Sequence, residues 1–225
     1  MTGLMRGVKV WDLPSRIAHW ALSLSILGSY GTAEYGWFSM QWHFYFGYAV
    51  ITLVIFRVLW GFFGSEHARF RNFVRGPSAV WRYLSSLGDK NSVETTGHSA
   101  LGGWAVIVLL AATLAQGISG LFNTDEIEWF GPLSEKAPGD LVEQMSWFHS
   151  NFEGVLLVII GIHIAAALLY LLIKKQNLIS PMISGVKHTV QAEHAKQKPI
   201  WLALLLLAVS AAGLWALIEF WPIAS

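Results

Sequence analysis

Two histidines, His149 and His163, stand in the run SWFHSNFEGVLLVIIGIHIAAALLYLL (residues 146–172), which holds no lysine or arginine. On an α-helix their fourteen steps of about 100° fall about 40° short of four turns. The two imidazoles therefore share a face, about 21 Å apart along the axis. One helix so equipped can serve two metal centres, one above the other. His43 and Arg57 repeat the same spacing on another apolar run, and His19 lies in a third. A lone histidine in such a run often just packs against a carbonyl. Several at matching depths point to ligation.

The donor set narrows the metal. The chain has no cysteine, which excludes disulfides, Fe–S clusters, thiolate zinc sites and thioether-attached haem. A structural or catalytic zinc site wants three or four protein ligands at one level. Here the histidines come in pairs. Two imidazoles facing each other across a gap suit the axial positions of a b-type haem.

The elements that must position these residues are membrane spans. Hydrophobic residues make up 54% of the 225-residue chain and charged residues 13%, about half the charge of a soluble domain. Five apolar stretches stand out, at about residues 15–33, 42–63, 100–122, 147–173 and 200–220. Each approaches the roughly 20 residues that cross a bilayer as a helix. The first is the weakest, diluted by Gly28, Gly31 and several serines. Every lysine and arginine but Lys136 falls in the segments of one side, which makes that side cytoplasmic. The N-terminus is then inside and the C-terminus outside. The N-terminal segment does not read as a cleavable signal. The 64–97 connection mixes Trp81, Tyr83 and Leu84 with Arg75 and Arg82, as a surface-lying helix or an ordinary basic loop would. A net charge of +1 gives no signal for nucleic acid.

This topology sets depths. His43 and His149 lie at the outer level, and His19 and His163 at the inner level. Two pairs at two depths are the pattern of two bis-imidazole b-type haems in a helical bundle. Arg57 falls at the inner level, where it could bind a haem propionate, as could Arg16, three residues before His19. Snorkelling to the interface is the alternative for both, and for Arg16 it accounts for the residue equally simply. Gly47, Gly117, Gly120 and Gly161 would let a flat macrocycle approach the backbone. His98, at the cytoplasmic start of the third span, would bind a propionate, meet a quinone carbonyl or cap the helix. His67 reads similarly, and His188 and His194 read as solvated loop residues.

The pieces VWDLPSRIAHW, WHFYFGY, FRVLWGFFGSEHARF, GHSALGGW and WFHSNFEGVLLVIIGIH resemble the bacterial cytochrome b561 family, itself similar to the b-type cytochrome subunits of nickel–iron hydrogenases. The resemblance covers about residues 8–185. It implies His19, His43, His149 and His163 as haem ligands, and electron transfer across the membrane between a partner and the quinone pool, as in a respiratory chain. The expected fold class is all-α integral membrane: a four-helix haem-binding bundle over residues 1–185, then a cytoplasmic linker and a fifth transmembrane helix over residues 186–225. The expected cofactors are two b-type haems, with quinone as substrate. The expected partners are membrane lipid and a periplasmic c-type cytochrome or hydrogenase. The expected location is the bacterial inner membrane. Two competing readings are a free-standing quinone oxidoreductase using a small soluble reductant or superoxide, and a haem-free membrane scaffold or transporter.

Overall fold

The structure, a computed structural model, describes residues 6–86, 97–189 and 195–223. Strand β1 (Arg6–Lys9) leads into α1 (Leu13–Tyr35) and α2 (Met40–Phe63). Short helices α3 (Phe70–Phe73) and α4 (Pro77–Ser85) follow, then α5 (Ala100–Phe122) and the long α6 (Gly139–Leu172). Helix α7 (Ile179–Ser184), strand β2 (Val186–Thr189) and α8 (Ile200–Glu219) complete the order. Helices α2, α5, α6 and α8 are long and apolar enough to cross a membrane, and the protein is a multi-pass membrane protein. Helix α1 is not among these four. Its 23 residues suffice in length, but Arg16, Glu34, Thr32 and four serines hold its hydropathy down.

Two expectations change. The described chain is not purely helical: β1 and β2 pair antiparallel, Arg6 opposite Thr189 through Lys9 opposite Val186. His188 therefore sits in a strand rather than a loop, while Lys90 and His194 lie outside the described residues. Helix α6 also begins eight residues before the expected span. Its 34 residues make it about 51 Å long, more than the roughly 30 Å hydrocarbon core.

The chain divides into two compact units. The first takes residues 1–18, 57–108 and 161–203. Its organising residue is Asp12, buried at 4% exposure. One carboxylate oxygen accepts from the Ser15 backbone N–H at 2.7 Å, capping α1. The other accepts from the indole N–H of Trp60 at 3.0 Å, and Trp60 is fully buried. Gly185 closes α7 in the left-handed region at φ 81°, and its carbonyl accepts from Val10 and Trp11. A Cβ there would also crowd Arg16, so glycine is required twice over. After α2, Glu66 exchanges backbone and side-chain hydrogen bonds with Lys196. Helix α4 starts with proline at its first turn and is joined to α6 by a hydrogen bond between Tyr83 and Tyr170. Of the two readings of this connection, part of it is helical, with Trp81 and Leu84 exposed on one face.

The second unit takes residues 19–56, 109–160 and 204–225. Its core is Ile51 of α2, Leu121 and Phe122 of α5, Leu133 of the α5–α6 connection and Leu214 of α8. In that connection the Asp125 carboxylate accepts from the backbone N–H groups of Ile127, Glu128 and Trp129, which holds its pKa below the ordinary carboxylate value. Lys136 donates to the Ile218 carbonyl at 2.7 Å and the Glu219 carbonyl at 3.2 Å. The one lysine or arginine of the α5–α6 connection is therefore spent on the C-terminal carbonyls of α8.

Candidate functional site

The second unit brings His43 and His149 together. His43 sits in the first turn of α2, and His149 stands eleven residues into α6 rather than at its start. Their ring centroids are 6.2 Å apart, with the planes at 88°. Each ring is fixed by its Nδ1. That of His43 lies 3.0 Å from the Ser29 carbonyl and 3.1 Å from the Ser29 hydroxyl of α1. That of His149 lies 3.0 Å from the Gln116 carbonyl and 3.2 Å from the Ser119 hydroxyl of α5. A carbonyl only accepts, so both Nδ1 atoms carry the proton. In its neutral form each ring then keeps its lone pair on Nε2, the form a metal takes.

This geometry fits a metal held between the rings. Two imidazoles bound to one ion through nitrogens about 2.0 Å from it bring their centroids to roughly 6.3 Å. Glycines provide the room. A Cβ at Gly120 would lie 2.8 Å from Cε1 of His149, so only glycine lets α5 come so close to that ring. Gly47, one turn after His43, lines the same cleft, and a Cβ there would meet nothing within 4 Å. Gly117 lines the same cleft, and a Cβ there would lie 2.7 Å from Cγ1 of Ile51. Thr113, Gln116 and Glu153 are further lining residues. No group of three or more metal-ligating side chains occurs among the described residues.

The other expected site residues divide between the units. His19 is in the second and His163 in the first, so their pairing rests on sequence spacing. The His19 ring meets Trp20 edge-on at 5.1 Å, and His163 is exposed in the last third of α6. In the first unit, Arg57 donates to the Ala68 carbonyl at 3.2 Å. Its guanidinium lies over Phe70 and Phe73 at 5.5 and 6.0 Å. Arg16 donates to the Ser184 carbonyl at 3.1 Å, which ties α1 to the end of α7, and its Nε is buried without a hydrogen-bond partner. Both arginines thus have structural employment that spacing did not reveal.

His98 lies against Phe73 at 4.3 Å and Trp11 at 4.7 Å, and its Nδ1 is buried without a hydrogen-bond partner. Burial, then the nearby charges of Arg57, His67 and His163, push its pKa down to about 3. Burial also lowers that of His67. Both line a cavity of about 580 Å³ with Phe73, Arg75, Arg82 and Tyr83. His98 is therefore neutral at physiological pH, which suits it to hydrogen bonding rather than to proton exchange.

Sequence reasoning missed Ser29, Gln116 and Ser119, which hold the two imidazoles. It also missed Asp12 and Trp60 inside the quoted motifs. Serine and glutamine in apolar helices were the available signal.

No match was found among the curated proteins or the solved structures. The family model described as prokaryotic cytochrome b561 matches residues 10–185, the stretch that contains the four histidines expected as ligands, Arg16, Arg57 and His98. The chain belongs to the prokaryotic cytochrome b561 family, whose members are membrane b-type cytochromes of electron transfer.

Proposed function

We propose that the protein is a dihaem b-type cytochrome that carries electrons across the membrane between a periplasmic redox partner and the quinone pool. The observation that carries this reading is the facing of His43 and His149 at 6.2 Å, each with Nδ1 on a carbonyl. These two are the ligands of one haem, and His19 and His163 are those of a second. A bound b-type haem supplies a one-electron iron couple. The chain's own residues fix the ligand tautomers, exclude water and set the electrostatics around each centre. Arg16 and Arg57 are the propionate candidates. The N-terminus is cytoplasmic and the C-terminus periplasmic, with α1 counted as a span. On the periplasmic side Asp125, Glu126, Glu128, Glu135, Asp140 and Glu143 are exposed, and Lys136 is engaged with α8. That surface steers a basic partner such as a c-type cytochrome. A hydrogenase is the alternative partner.

Quinone is placed at the cytoplasmic haem, with the His98 imidazole hydrogen-bonded to a quinone carbonyl. Replacing His98 with Ala should leave both haem spectra intact and slow haem reoxidation by quinone. With a pKa near 3, His98 should add no inflection to that rate between pH 5 and 8. An unchanged rate in the variant would remove His98 from this role. A large loss in Glu153→Gln would move the site to the outer face.

A further inference from the structure

We propose that the buried hydroxyl of Ser119 and the half-buried hydroxyl of Ser29 on the opposite ring set the redox potential of the His43–His149 centre by competing for the Nδ1 hydrogen bonds. The inference rests on those histidines being the ligands.

The contacts at His149 form a triangle. The Nδ1–H faces the Gln116 carbonyl at 3.0 Å and the Ser119 Oγ at 3.2 Å. The Ser119 hydroxyl gives its own proton to the same Gln116 carbonyl at 2.9 Å. Its lone pair is then turned to the imidazole N–H. The hydroxyl acts on both ends of one bond: it takes a share of the N–H and a share of the carbonyl's acceptor strength. Ser119 is 1% exposed, so water does not blur this competition. At His43 a single residue supplies both acceptors, the Ser29 carbonyl at 3.0 Å and its hydroxyl at 3.1 Å. The two rings thus meet the same kind of fork, built from unrelated segments. Helix packing alone does not require this. Ser119 is already satisfied by its bond to the residue three positions earlier.

The sign follows from ligand basicity. A strong Nδ1–H···O=C bond pushes electron density into the ring, makes Nε2 a better donor and favours the oxidised metal. Dividing that bond weakens the push and raises the potential. Removing the hydroxyl should restore the push and lower the potential.

The test is a spectroelectrochemical titration of the haem-loaded full chain. In Ser119→Ala one of the two transitions should move to lower potential while the other stays in place, with haem per chain unchanged. Ser119→Thr, which keeps the hydroxyl, should titrate like the parent, and Ser29→Ala should move the same transition in the same direction. Should Ser119→Ala fail to retain haem, Ser29→Ala and Ser119→Thr decide. An unmoved or upward-shifted transition in Ser29→Ala or a haem-retaining Ser119→Ala would overturn the inference, as would a threonine variant that behaves like alanine. His149→Ala distinguishes a failure of the ligand assignment from a failure of the serine effect. If it keeps both transitions, the ligand reading fails. If it loses one while Ser119→Ala moves neither, only the role of the serines fails.

Discussion

At the residue scale, the sequence motifs mix two kinds of work. His43 and His149 face each other, but their neighbours in the motifs serve the scaffold. Asp12 shows this best: it caps α1 through the Ser15 N–H and holds the buried Trp60 indole across the first unit. Losing the cap costs about 0.5–2 kcal/mol and orphaning a buried donor about 1–3 kcal/mol. Asp12→Ala should therefore lower stability by roughly 2–4 kcal/mol, with Asp12→Asn losing less because it keeps an acceptor. Thermal unfolding of the purified protein reads both. Histidine was legible because apolar runs seldom tolerate it. Ser29, Gln116 and Ser119 were not, because a serine or glutamine in a helix usually satisfies itself locally, and only the folded chain shows which ones also reach an imidazole.

At the element scale, periodicity and hydropathy located the long helices. Their ends were set by forces that hydropathy does not weigh. Helix α6 starts early because Asp140 and the residues after it continue the helix beyond the apolar run. Strands β1 and β2 were invisible because four-residue strands, joined across most of the chain, leave no local pattern. The C-terminal helix has a concrete attachment: Leu214 in the second unit's core, Trp221 edge-on to Phe122 at 5.4 Å, and Lys136 on the last carbonyls. Lys136→Met keeps the aliphatic stem but removes both charged hydrogen bonds. It should cost about 1 kcal/mol, since the site is partly exposed. Hydrogen exchange should then quicken in the last turn of α8 and stay unchanged in α2. Uniform exchange in both helices, identical to the parent, would show that packing alone holds α8.

At the scale of the whole molecule, charge and exposure follow one logic. Basic residues lie in the segments flanking one set of helix ends, and acids occupy the α5–α6 connection. Exposed leucine, isoleucine and valine cover α6 and α8, as befits helices that meet lipid rather than water. The proposed dihaem function requires one haem between His43 and His149 and a second between His19 and His163. Counting haem per chain during a redox titration of the parent, His43→Ala and His149→Ala tests it directly. Two haems and two transitions are expected in the parent. Each variant should keep one haem, and both should lose the same transition. Retention of both transitions in either variant, or loss of different transitions in the two, would show that His43 and His149 do not hold one haem.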